Sequence, residues 1–456
     1  MTMQRTNIRD FTRGNITKQL ITFALPLFLS NLLQVVYNMV DMIVVGNVLG
    51  KEGISAVSVG GDVTNLLTFI SMGFAAAGQV LIARLIGGRQ ENKLGRFVGT
   101  MCGFLGLCAL ILTLLGLTLQ PLMLQWMNTP QESLAGAKSY ATVSMSGLVF
   151  IYGYNVVSAI LRGMGDSRRP FIFISLAAVT NLVLDIVFVV LFRMGAGGAA
   201  LATVISQALS FILCSVYLIR HRDAYKLDLV PAHFVRWDRD MLLSLVKLGV
   251  PMAIKSASIQ VSKLFVNSFI NSYGVAVSAF AGIANKVASV SNLISNAMNT
   301  AGSTVVGQNL AAGEFARVKK ILVRIAAITL TIAGLFSLFI CLFPEEIFGI
   351  FTTDSAVMMI AKEYVPIAVL LFFGAAMRAI MNALINGSGH TKINFATAIL
   401  DGIVMRIGLA VLFGLVLDMR HMGFWLGDAL AGFTPFLIGL VFYLTGAWKK
   451  QTMVKG

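Results

Sequence analysis

Residues 17–45 read TKQLITFALPLFLSNLLQVVYNMVDMIVV. The stretch is long and apolar enough to cross a membrane as a helix, which takes about 20 residues. It is not uniformly apolar. Gln34, Asn38 and Asp41 fall on one helical face, with Tyr37 one turn before Asp41. A charged side chain at the centre of a spanning helix costs about 2.5–3.5 kcal/mol on insertion scales, so such a face turns to a cavity. Pro26 removes one helix hydrogen bond and frees the carbonyl of Thr22, which makes it a candidate hinge in the helix that carries Asp41.

The rest of the chain repeats this pattern. Eleven further apolar runs lie near 54–83, 95–120, 134–160, 170–192, 197–219, 241–271, 276–303, 320–343, 356–385, 393–415 and 423–446. The sequence therefore predicts an all-α integral membrane protein of twelve transmembrane helices. Composition agrees: 57% of residues are hydrophobic and 12% are charged. Soluble domains carry roughly 25% charged residues, so this chain lacks the polar surface to face water on all sides. Arg5, Arg9, Arg13 and Lys18 precede the first run in the manner of a signal peptide. The run is long, contains Pro26 and lacks a small-x-small cleavage site, so it reads as a retained span. Cys102, Cys108, Cys214 and Cys341 all lie in apolar runs with no metal or redox spacing. No metal site is expected.

The net charge of +15 sits in short loops rather than in an aromatic-basic stripe, which argues against a nucleic-acid partner. One set of loops is basic: the N-terminus, Arg84/Arg89/Lys93/Arg96, Arg162/Arg168/Arg169, Arg220/Arg222/Lys226/Arg236/Arg239, Arg317/Lys319/Lys320, Lys392 and Lys449/Lys450/Lys455. The other set holds mainly Lys51, Arg193 and Arg420, with Glu132, Glu345, Glu346 and Asp354. The positive-inside rule places the basic set, and both termini, in the cytoplasm.

The two halves align at an offset of about 225 residues. Leu25-Pro26 matches Val250-Pro251, Tyr140 matches Tyr364, and LRGMGDSR at 161–168 matches INGSGHTK at 385–392. Six spans per half is even, so the halves share one orientation, as two lobes related by a pseudo-twofold axis along the membrane normal. The expected division is an N-lobe over 1–219 (helices 1–6), a cytoplasmic inter-lobe linker over 220–240 and a C-lobe over 241–456 (helices 7–12). A repeated bundle with a cleft between lobes suits a transporter; an enzyme has no equal need of this symmetry.

Further polar residues lie at helical spacing inside spans. Asn181 and Asp185 are one turn apart in the fifth, Thr203 and Gln207 in the sixth, and the fourth offers Tyr154 and Asn155. Two carboxylates in separate spans of one half favour a functional site. The amides alone read equally well as hydrogen-bond glue between helices. The second half carries Ser256, Gln260, Lys263, Asn267 and Asn271 on span seven. Span eight carries Asn285, Ser289, Asn292, Asn296, Asn299 and Ser303, and span ten Arg378, Asn382 and Asn386. Lys255, Lys286, Asp401 and Arg406 are also intramembrane. An internal ion-pair network, with Asp401 bound to a nearby cation, and a substrate-contacting surface stand here as even alternatives.

These residues resemble the MATE (multidrug and toxic compound extrusion) family and, within it, the DinF-type branch. The marks are Leu25-Pro26-Leu27, Asn31-Leu32-Leu33-Gln34, Tyr37-Asn38, Val40-Asp41, Val45-Gly46, Ala83-Arg84 with Gly87-Gly88, Leu161 to Asp166, and Val306-Gly307-Gln308-Asn309. The resemblance implies efflux of amphipathic, cationic, drug-like molecules from the bacterial cytoplasmic (inner) membrane, coupled to H⁺ or Na⁺, with no other cofactor and as a monomer. It assigns the coupling site to Asp41, with Tyr37, Asn155, Asn181, Asp185 and Thr203 around it. A substrate cavity would draw on Gln34, Asn38, Gln207, Gln260, Lys263, Asn267, Asn292, Asn296 and Arg378. Another branch places acids in spans seven and ten; here those spans carry Lys255, Lys263 and Arg378 instead, a departure from that branch's pattern.

Proton exchange needs a carboxylate whose surroundings disfavour its charged form, and burial beside a second carboxylate does this. The membrane potential adds about 2.3 kcal/mol per charge per 100 mV. ATP drive is not supported: Gly46-Asn47-Val48-Leu49-Gly50-Lys51-Glu52 is one residue short of a phosphate loop and ends in Glu. The rival reading is a lipid-linked oligosaccharide flippase of the same wider superfamily, whose pyrophosphate the second-half cations would suit.

Overall fold

The computed structural model describes residues 6–127 and 129–450. The expected basic residues Arg5 and Lys455 lie outside them. Among the described residues there is no strand; the chain is all helical. A continuous helix over Ile16–Gly87 contains 72 residues. At 1.5 Å per residue that is about 108 Å, far beyond a hydrocarbon core of about 30 Å. The backbone breaks inside it at Gly50, where φ is 67° and ψ −159°. Only glycine adopts such a conformation readily. We therefore number two helices here, α1 (16–49) and α2 (51–87).

The remaining spans are α3 (Glu91–Trp126), α4 (131–163), α5 (Arg168–Leu191), α6 (Gly195–Arg220) and α7 (Arg239–Asn271). They continue as α8 (Val275–Ala311), α9 (Phe315–Leu342), α10 (Ser355–Ser388), α11 (Thr391–Val416) and α12 (Arg420–Leu444). α4 bends by 48° at Gly147. Twelve spans result among the described residues, each overlapping its expected run. α5 widens to π-helical turns over Ile186–Leu191, directly after Asp185, and α11 does so over Leu400–Met405 and Leu412–Val416. Such turns occur often at functional sites, and here the first two adjoin or contain an intramembrane carboxylate.

The chain forms two compact units. Unit one takes residues 6–10 and 25–253, and unit two takes 11–24 and 254–450. Unit one has its core in residues such as Phe74, Ile82, Phe97, Ile160 and Leu245. The polar stretch after α6 is folded onto α3 rather than hanging free. Gly95, Gly99 and Gly103 make a bare stripe on α3, and a Cβ on them would lie 2.1 Å from the Asp228 carbonyl oxygen, 2.5 Å from His233 Cβ and 2.1 Å from the Phe234 carbonyl oxygen. Lys226 pairs with Glu91 at 3.3 Å and Asp238 with Arg96 at 3.4 Å. Tyr225, fully buried, donates its hydroxyl to Asp166 at 2.8 Å. Burial and that carboxylate together hold the phenol protonated well above its usual range. Asp166 also caps α5 by accepting from the Arg168 and Arg169 amides at 3.1 Å each.

Unit two is built around α8 lying close along α10. A Cβ on Gly302 would meet Ala383 at 2.7 Å, and one on Gly387 the Ser303 carbonyl at 2.8 Å. Phe280, Phe348, Tyr364 and Trp425 pack edge to face at its core, with centroids 5.2–5.7 Å apart. The segment 11–24 is tied to unit two by polar contacts. Phe11 donates its amide to Gln308 at 2.9 Å, and its carbonyl accepts from Asn309 and Arg317 at 3.1 Å each. Arg317 reaches further, to the Gly14 carbonyl at 2.9 Å and Gln19 at 3.0 Å.

Candidate functional site

In unit one, three helices bring Asp41, Tyr37, Asp185 and Gln207 together. Tyr37 and Asp41 stand one turn apart on α1, Asp185 ends the regular part of α5, and Gln207 lies on α6. The Tyr37 hydroxyl lies against Gln207 and within electrostatic reach of both carboxylates, and the carboxylates are within reach of each other. Asp185 is 1% exposed. One oxygen of each carboxylate and the Gln207 amide oxygen are buried with no hydrogen-bond partner. Buried polar atoms are normally satisfied, so three orphaned acceptors in one place mark a site that is incomplete without a cation or donor.

Asn181 extends the group by donating to Thr203 at 3.5 Å, and Thr203 bonds back to the Ala199 carbonyl. Asn155 makes no such link. Its amide turns to Ser71 on α2 at 3.4 Å. Gln34 is half-buried and Asn38 exposed, and neither has a side-chain hydrogen bond among the described residues. Tyr140 on α4 is a member that no polar stripe marks. Its hydroxyl faces Asp41, Tyr37 and Asp185 and bonds toward Ser144. The only sequence signal for it is its match to Tyr364 in the repeat.

The cationic side chains of unit two form a second constellation. Arg406 on α11 is 2% exposed and joins two carboxylates, Asp401 at 3.2 Å and Asp428 of α12. The expected pairing of Asp401 with a nearby cation is thus present, and Asp428 is a further partner that lacks polar neighbours at helical spacing. Lys255 on α7 donates to Asn382 of α10 at 2.8 Å, and Arg378 of α10 donates to Asn292 of α8 at 2.6 Å. Asn386 donates to Asn299 at 3.2 Å. Part of the amide stripe is therefore an internal ladder between α8 and α10. Lys263, on α7, is half-buried and has no hydrogen bond and no carboxylate within 4 Å among the described residues. Gln260 and Asn267, also on α7, are half-buried, while Asn296 and Lys286 on α8 are exposed.

The repeat is visible in comparison with known proteins. The MatE family model matches the chain twice, over residues 26–187 and 251–412. A probable multidrug resistance protein of Bacillus subtilis (strain 168), YoeA, is 28% identical over 97% of this chain and 96% of its own length. The probable multidrug resistance protein NorM of Thermotoga maritima is 27% identical over 96% of this chain and 94% of its own. A crystal structure of MATE in complex with MaD3S shares the fold with a TM-score of 0.87, at 24% identity and covering 96% of this chain and 98% of that one.

Proposed function

Since the chain belongs to the MATE family of multidrug efflux transporters and is not an enzyme, we propose that it is a secondary active antiporter. Drug-like amphipathic molecules, cations among them, leave by alternating access in exchange for H⁺ or Na⁺. The observation that carries this reading is the meeting of Asp41 and Asp185 with orphaned oxygens beside Tyr37 and Gln207. Two carboxylates without donors are completed by one small cation, and among the described residues only the first half of the repeat has such a pair. In the second, Asp401 also has one orphaned oxygen, but it and Asp428 are both bonded to Arg406. At the spacing of the two family matches, Asp41 corresponds to Val266 and Asp185 to Ala410, both buried apolar residues. Occupancy by the coupling cation removes the cost of a bare buried charge. Tyr37, Gln207 and Tyr140 line the site beside the acids. Both termini and the strap after α6 lie on the cytoplasmic side in this reading.

The test is dye transport by the purified protein in proteoliposomes under an imposed pH or sodium gradient. Asp41→Asn abolishes gradient-driven transport with expression and melting temperature retained, and Asp185→Asn impairs it less completely. Unimpaired transport by Asp41→Asn refutes the coupling role. Orientation is tested in intact cells with Val230→Cys in a cysteine-free background, where labelling from outside overturns it.

A further inference from the structure

The second unit holds more positive charge than it neutralises. Lys263, Arg378 and Arg406 lie within electrostatic reach of the same two carboxylates, Asp401 and Asp428, and Lys255 within reach of Asp401. Both carboxylates are already bonded to Arg406. Lys255 and Arg378 must make do with the amide oxygens of Asn382 and Asn292. Lys263 has no hydrogen-bonding partner among the described residues. Burial separates the same groups. Asp401 and Arg406 are sealed at 0% and 2% exposure, whereas Lys255, Lys263 and Arg378 are each partly exposed. Three accessible cations that faced lipid would each carry the insertion cost of an intramembrane charge, so this face is one that water and solutes reach.

An amide oxygen is a weak counterpart for a cation, since charge-assisted bonds to an anion are roughly twice as strong as neutral ones. Two neighbouring cations held apart by amides, with a third unpartnered, form a fork that an anionic group completes. Resting on the transporter reading, we propose that Lys255, Lys263 and Arg378 form an anion-binding subsite, which takes the carboxylate, sulfonate or phosphate group of an amphipathic solute. The substrate range then includes anions and zwitterions beside the cations that the acids of unit one suit. The Arg406 ion pairs serve a different end: they tie α11 to α12.

The experiment is equilibrium binding of 6-carboxyfluorescein, read by anisotropy, to the full chain in phosphatidylcholine nanodiscs without any gradient. Rhodamine 6G is the cationic reference, and a melting curve accompanies each variant. Lys263→Gln and Arg378→Gln each weaken carboxyfluorescein binding relative to rhodamine by about tenfold, the effect of one lost charge-assisted hydrogen bond. Lys263→Arg restores it. An unchanged ratio of affinities in both neutral variants overturns the subsite, as does a lowered melting temperature with affinities for both dyes reduced alike. Loss of carboxyfluorescein binding when phosphatidylglycerol replaces phosphatidylcholine assigns these cations to a lipid headgroup and overturns the solute assignment. Binding that survives while neither dye is transported under a gradient sinks the transporter reading and leaves the subsite supported.

Discussion

Arg406 holds Asp401 at 3.2 Å from five residues further along α11, with both side chains sealed from solvent. The same guanidinium bonds Asp428 on α12. One cation thus joins a π-helical turn to the next helix. Removing one partner of a buried ion pair leaves an uncompensated charge and costs about 3–5 kcal/mol. Arg406→Met strands two carboxylates and is expected to fall at the upper end of that range. Asp428→Asn, which keeps the Asp401 pair, is expected to cost less. Thermal unfolding of the purified variants measures the order, and an Arg406→Met protein as stable as the parent refutes the pin.

The strap after α6 is predicted to depend on the bare stripe of α3. A valine at Gly99 places side-chain atoms where His233 now packs, the Cβ alone coming within 2.5 Å of that residue's Cβ. The strap must then lift, breaking its hydrogen bond from the Asp238 amide to Thr100. Gly99→Val is expected to expose the 226–237 segment to protease, with helix content unchanged. Gly106→Val, at a glycine of the same helix with open space around its Cβ position, is the control. Equal protection in both variants contradicts the strap. Tyr225→Phe removes the hydrogen bond to the Asp166 carboxylate at the other end of the segment and is expected to cost about 1.5–3 kcal/mol in thermal unfolding, the range for a bond to a charged group.

The spans were legible because a run of about 20 apolar residues has few solutions other than a membrane helix. The break between α1 and α2 was less so. Gly46-Asn47-Val48-Leu49-Gly50-Lys51-Glu52 reads as a loop, yet helix continues on both sides and the turn is confined to the positive φ of Gly50. Carboxylates with polar neighbours one turn away announced themselves, as Asp41 and Asp185 did. Asp428 stands alone among Leu426, Gly427, Ala429 and Leu430, and its meaning comes only from Arg406, brought to it by the fold. Asn155 shows the converse. Its position in span four suited the acid cluster, but rotation of α4 turns it toward α2. The glycines at 95, 99 and 103 are four residues apart, a spacing that marks one helical face. The spacing alone does not say whether a helix or a strap of loop lies against it.

Two prolines stand where the chain passes between its compact units. The crossings lie between residues 10 and 11, 24 and 25, and 253 and 254. Pro26 is two residues past the second crossing, and Pro251 two residues before the last residue on the near side of the third. They are also counterparts in the repeat. Any displacement of one unit against the other has to be absorbed at these crossings, two of which are inside continuous helices. A proline in a helix interior leaves one carbonyl unbonded and costs about 3 kcal/mol, so the helix bends most cheaply there. Pro26→Ala restores the hydrogen bond to the Thr22 carbonyl and stiffens α1 next to the helix segment that carries Asp41. The expected result has opposite signs in two assays: melting temperature unchanged or raised, and gradient-driven dye efflux reduced severalfold. Dye affinity in the absence of a gradient stays within twofold of the parent (about 0.4 kcal/mol), because no contact in either polar constellation is removed. Pro251→Ala is expected to act in the same direction through α7. A Pro26→Ala protein that is less stable and binds dye more weakly points to packing rather than bending, and it defeats the hinge. Full transport by the double variant defeats it as well.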